Sequence, residues 1–160
     1  GRVIVLCDVQ TNSFVAAFDL ADGTELWRTL RRDVPTWGTP TVVTVGGQAQ
    51  ILVNGWHDIG AYDFKNGGRI WTLNGGGDVP VPTPVVAGNL SYFTSGHGKY
   101  HPMRAVRLEA RGDITPSEVG DTNSAIVWVH ARKGTFSSAL FRSLEPVSIH
   151  LFVPSNANRR

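Results

Sequence analysis

Four of the five histidines in this 160-residue chain stand in short segments whose residue types could do chemistry. Trp56-His57 and Tyr100-His101 are two aromatic-His pairs, each residue 44 positions from its counterpart, and Trp37, Asp58, His97, His130 and Arg132 fall in neighbouring segments of the same kind. Neutral imidazoles are good ligands for zinc or copper. The i, i+4 spacing of His97 and His101, however, aligns two rings only on a helix, and GHGKYH has the glycines of a loop, so no metal site is assigned. Asp58 and Asp78 have the chemistry of a general acid and base. Nothing in the sequence fixes their separation, and no catalytic residue is assigned. A phosphate loop, a G-x-S-x-G elbow and a paired CxxC are all absent. Cys7, the single cysteine, excludes an internal disulfide and reads as a small hydrophobe within VIVLC. The chemistry that remains is recognition by aromatic, imidazole and charged loop residues.

The elements that must position these residues are strands. TPTVVTV, QILVNG, IGAYDF and RIWTL are rich in β-branched and aromatic residues and bounded by Gly, Asn or Asp, while 18 Gly and 9 Pro suit tight turns better than long helices. The class is all-β. AFDLADGTELW (17–27) and AYDFKNGGRIW (61–71) are two versions of one phrase, and Ala17 and Ala61, Trp27 and Trp71, and Pro40 and Pro84 each stand 44 residues apart. Four strands in roughly 40 to 45 residues is the pattern of a β-propeller blade, whose faces are buried only against neighbouring blades. The third copy keeps Ala105 in register, puts Arg107 where Asp is expected, and delays the Trp from 115 to Trp128. The expected architecture is a partial β-propeller of about two and a half to three four-stranded antiparallel blades. Residues 1–38 form a partial first blade, 39–82 the second, and 83–138 the third with an insertion at about 109–125; 139–160 form an irregular tail or cap.

At these residues the chain resembles the pyrroloquinoline-quinone-type propeller repeats, whose tryptophan-docking motif is A-x-D-x-x-x-G-x-x-x-W. Ala17, Asp19, Gly23 and Trp27 match it, as do Ala61, Asp63, Gly67 and Trp71, and the strand openings TPTVV and TPVVAG match the same repeats. The resemblance implies that Trp27 and Trp71 pack on the motif of an adjacent blade and are structural. Quinoprotein dehydrogenases of this family use pyrroloquinoline quinone, calcium, a catalytic Asp and commonly two adjacent cysteines. This chain has one cysteine. Other members lack the cofactor and act as scaffolds, including the lipoprotein of outer-membrane protein assembly, and usually work outside the cytoplasm. The resemblance therefore implies a non-catalytic scaffold or binding module, periplasmic or secreted, without cofactor. The alternative is a segment of a quinone-dependent dehydrogenase.

Strand direction alternates within a blade, so loops joining second and third strands share a face with loops joining successive blades. That face collects Trp37, Trp56, His57, Asp58, His97, Tyr100, His101, His130 and Arg132 as the candidate binding surface. Packing of loop aromatics on one another, and capping of backbone groups by His, is the competing role. A net charge of +2 without a basic block argues against nucleic acid, and no apolar run reaches the roughly 18 residues of a membrane helix. Gly1 opens the chain with neither Met nor a signal-like segment, and the sequence reads as a fragment. The expected partners are a protein or the remaining blades, with self-association of the isolated chain through its open blade.

Overall fold

A computed structural model describes residues 1–118, 120–134, 140–142 and 148–150. Three antiparallel strands come first, β1 (Arg2–Cys7), β2 (Phe14–Asp19) and β3 (Glu25–Leu30), in the order β1-β2-β3. The second sheet takes β4 (Thr41–Val45), β5 (Gln48–Val53), β6 (Asp58–Asp63) and β7 (Arg69–Asn74) in sequence. The third takes β8 (Val85–Ala87), β9 (Leu90–Thr94), β10 (Met103–Arg107) and β12 (Ile126–His130). Between β10 and β12 the insertion supplies β11 (Gly112–Asp113), which leaves its own sheet and pairs parallel with β7 at the outer edge of the second. No helix occurs among the described residues. The chain is all-β, a partial propeller.

The repeated phrase has a physical reason at each place. Ala17, Ala61 and Ala105 stand directly opposite Trp27, Trp71 and Trp128 on the next strand, and the register shifts immediately after each Ala. All three alanines are fully buried, so a larger side chain would collide with what packs there. Asp19 and Asp63 then build the turn: the Asp19 carboxylate accepts from the Ala21 amide, and the Asp63 carboxylate from the amides of Lys65 and Asn66. Gly23 (φ +76°) and Gly67 (φ +73°) close these turns in the left-handed region that side chains avoid. In the third copy Arg107 has no such carboxylate, and its amide donates across to Ala125.

Two cores lie on the two faces of the second sheet, as a two-residue strand period requires. Ile51, Val53 and Tyr62 pack with Val15, Ile4, Leu6 and Trp27 of the first sheet. Leu52, Ile59, Trp71 and Leu73 pack with Phe93, Val106 and Ile126 of the third, together with Leu108, Ala110 and Ile114 of the insertion. Trp27 lays its indole on Gly67, where a Cβ would strike the ring, and its Nε1 donates to the Phe64 carbonyl at 3.2 Å. Trp71 meets Phe93 edge to face at 5.7 Å, and its buried Nε1 has no acceptor among the described residues.

The stretch 139–160, read from the sequence as an irregular tail or cap, contributes the antiparallel pair β13 (Leu140–Arg142) and β14 (Ser148–His150), with β13 against β8. Its other residues lie outside those described. The outward face of the first sheet exposes Val3, Leu26 and Leu30, and β1 has no partner beyond β2 among the described residues.

Candidate functional site

The loops at one end of the sheets are held by a buried ionic cluster that no local pattern announces. Arg31, at the end of β3, donates to Asp8 at 2.9 Å, to Asp33 at 3.1 Å, to the Tyr62 hydroxyl at 2.8 Å and to the Asp58 carbonyl at 2.8 Å. All three charged side chains are fully buried. Burial alone would lower the Arg31 guanidinium; Tyr62 and the hydrogen-bonded Asp8 outweigh it and raise it above its ordinary value. Burial pushes the Asp33 carboxyl up, against hydrogen bonds from the His57 and Val34 amides and the charge of Arg31.

Asp33 also accepts from the backbone amides of Trp56, His57 and Asp58 at 3.1 to 3.3 Å. One carboxylate of the first blade thus fixes the β5–β6 loop of the second. Gly55 is required at this joint, because a Cβ there would meet the Asp33 carboxylate and the Asp58 carbonyl.

On this foundation sits a groove of about 430 Å³. Trp37 and Trp56 face it with Val34, Pro35, Val79 and Pro80, while Asp78, His97 and Gln10 supply its polar atoms. Trp37 remains 60% exposed and Trp56 40%, and the Trp56 ring is backed by His57 stacked at 4.7 Å. The Trp37 amide donates to the Pro80 carbonyl at 3.3 Å, tying two interblade loops together. Val79 has φ +51°, a position of real strain for a β-branched residue, and its carbonyl accepts from the Gly96 and Val81 amides. The groove offers flat apolar contact with a few polar atoms, the makeup of a recognition surface.

The structure brings Trp37, Trp56 and His97 to this groove, with His57 behind Trp56. It sends the other sequence-selected residues elsewhere. Asp58 is 4% exposed and turns its carboxylate to Arg69, at 2.6 and 2.8 Å, and to Thr72. Tyr100, the repeat counterpart of Trp56, faces a second cavity and accepts a hydrogen bond from Arg104. His101 sets Nδ1 at 3.0 Å from the Gly98 carbonyl. His130 ends β12 beside Trp128, and Arg132 is exposed beyond it. Among the described residues no three His, Cys, Asp or Glu gather as metal ligands, and Cys7 stands half-buried.

Sequence reasoning missed the cluster of Asp8, Arg31 and Asp33, the strained Val79, and Arg104. The one signal was charge within RRDVPTWG, an otherwise apolar and Pro-containing interblade loop.

The chain matches no protein-family model and none of the curated proteins compared with it. Among solved structures it is similar to BamB from Moraxella catarrhalis, with a TM-score of 0.59 and 16% sequence identity over 86% of this chain. That likeness supports the propeller fold. The chain spans 39% of the length of that BamB chain.

Proposed function

We propose that this chain is a non-catalytic β-propeller segment that serves as a scaffold or binding module and engages a protein partner through the groove around Trp37 and Trp56. The observation that carries the reading is the pair of exposed indoles on a rigid, ion-paired base. Exposed aromatics held in one conformation lose little entropy on binding and form the usual anchors of protein interfaces. The likeness to BamB supports the propeller fold on which this reading rests. The remaining blades are then a second partner, seated on the apolar face of the first sheet. Without them the isolated chain self-associates at micromolar concentration, which light scattering reads directly.

Photo-crosslinking tests the groove. With p-benzoylphenylalanine in place of Trp37, the chain forms a discrete protein adduct in an envelope extract; with the same residue in place of exposed Asp22 it forms none. Identical adducts at both positions would overturn the reading. Pyrroloquinoline quinone added with calcium leaves no bound-cofactor absorbance; its appearance would favour a dehydrogenase segment instead.

A further inference from the structure

Arg104 differs from Arg31, the other buried arginine among the described residues, in one respect. Arg31 has Asp8 and Asp33, and Arg69, at the exposed start of β7, has Asp58. Arg104 is 3% exposed, yet among the described residues its guanidinium donates only to the Gly75 carbonyl at 2.8 Å and the Tyr100 hydroxyl at 2.7 Å. Among the described residues no carboxylate comes within ion-pair distance of it. A charge taken out of water without a counter-charge is strongly disfavoured unless an anion completes it. Burial accordingly pushes this guanidinium below its ordinary value.

Arg104 and Tyr100 line a cavity of about 310 Å³ between the second and third sheets, under the Thr115–Ser117 segment of the insertion. The Tyr100 hydroxyl accepts from Arg104, which leaves its own hydrogen for an acceptor. Leu73, Ile126, Val129 and Pro116 supply apolar wall, beside the polar Asn74, Thr115 and Ser117. Asp121, also facing this cavity, repels a second negative charge.

We propose that this cavity binds a small monocarboxylic acid with an apolar body, its carboxylate on Arg104 and Tyr100. The cavity volume stands at the low end of small-molecule sites, which run from roughly 300 to 1,000 Å³, and suits a single-ring acid. A free acid and a peptide C-terminus offer the same carboxylate; the small volume, walled on one side by Thr115–Ser117, favours the free acid.

Calorimetric titration of the full chain at pH 7 uses benzoate, its uncharged analogue benzyl alcohol, and the tripeptide Ala-Ala-Phe. Benzoate binds about tenfold or more tighter than benzyl alcohol, which corresponds to one charge-assisted contact. Benzoate also binds tighter than the tripeptide and raises the melting temperature. Arg104→Met, shown to be folded by circular dichroism, loses benzoate binding, and Tyr100→Phe weakens it by about tenfold. If Arg104→Met does not fold, Tyr100→Phe and the benzoate to benzyl alcohol ratio decide the matter. Absent benzoate binding, equal affinity for the alcohol, undiminished binding by Tyr100→Phe or by folded Arg104→Met, or tighter binding of the tripeptide would each overturn the proposal.

Discussion

Trp27 and Trp71 stand 44 residues apart in equivalent strands, whereas Trp37 and Trp56 stand 19 apart in two loops that have no repeat relation. The first pair turns its rings into the contacts between sheets: Trp27 onto Gly67 and the Phe64 carbonyl, Trp71 into a core where it is 1% exposed. The second pair keeps 60% and 40% of its surface in solvent, on loops pinned from below by Asp33 and Arg31. The same side chain is thus used for cohesion where it recurs and is left available where it does not. The two docking tryptophans also differ from each other. The first junction adds polar fastenings to backbone carbonyls, including Arg2 on Phe64 and Lys65 and Thr29 on Gly67. The second has polar fastenings too, Asn54 on the Thr94 carbonyl and Arg104 on that of Gly75, but its Trp71 indole makes none of them and is held by apolar burial, beside β11 zipped along β7.

The most disruptive way to break this division is to remove the base of the loops. Arg31→Met leaves Asp8 and Asp33 buried without their partner and should cost about 3 to 5 kcal/mol in urea denaturation. Trp71→Ala removes a large side chain from the main core and should cost a similar amount, about 3 to 5 kcal/mol. Trp27→Ala, at a partly buried position, should cost roughly half as much, about 2 kcal/mol. Equal losses at the two positions would refute the distinction between the junctions.

Replacement by Phe sharpens it further. Trp27→Phe forfeits the bond to the Phe64 carbonyl, about 1 kcal/mol, while Trp71→Phe removes an indole N–H that has no acceptor among the described residues and is offset to that extent.

Much of the fold was legible because every blade solves the same packing problem. Ala must be small opposite Trp, Asp must cap its turn, and Gly must take a positive φ, so the constraint repeats and shows in one sequence. Loop positions carry no such repetition. Spacing pairs Trp56 with Tyr100, but Tyr100 is drawn to Arg104, and the repeat counterpart of Arg104 is Gly60, which has no side chain to do the same. Asp58 reads as a loop residue, yet it opens β6 and faces Arg69. Arg31 finds Asp8 across 23 residues of chain, a contact that only the folded first sheet creates. Val79 gives no hint of its strain, since nothing in GDVPVP distinguishes its backbone from that of Val81.

A smaller effect follows from the turn that the third copy lacks. Burial would raise the Asp63 carboxyl slightly, but hydrogen bonds from Gln48 and the Asn66 and Lys65 amides outweigh it and lower it below its ordinary value of 3.8. A carboxyl lowered by folding stabilises the protein above its unfolded pKa, and that contribution is lost as pH falls through the folded one. Asp63→Asn should therefore flatten the acid limb of stability below about pH 4. An unchanged limb would mean that the turn owes nothing to the charge.

The least destabilising change is the one that matters most for function. Trp37→Ala with Trp56→Ala should leave stability within about 0.5 kcal/mol, because both rings lie largely outside the two cores. The decisive measurement is competition by this double variant, at matched folding, against the Trp37 crosslinking protein for its partner. The account predicts that it fails to compete at concentrations where unmodified protein abolishes the adduct, while its denaturation midpoint stays at the wild-type value. Competition equal to the unmodified protein, or a midpoint that falls with that of Trp71→Ala, would contradict the division between tryptophans that hold the blades and tryptophans that bind.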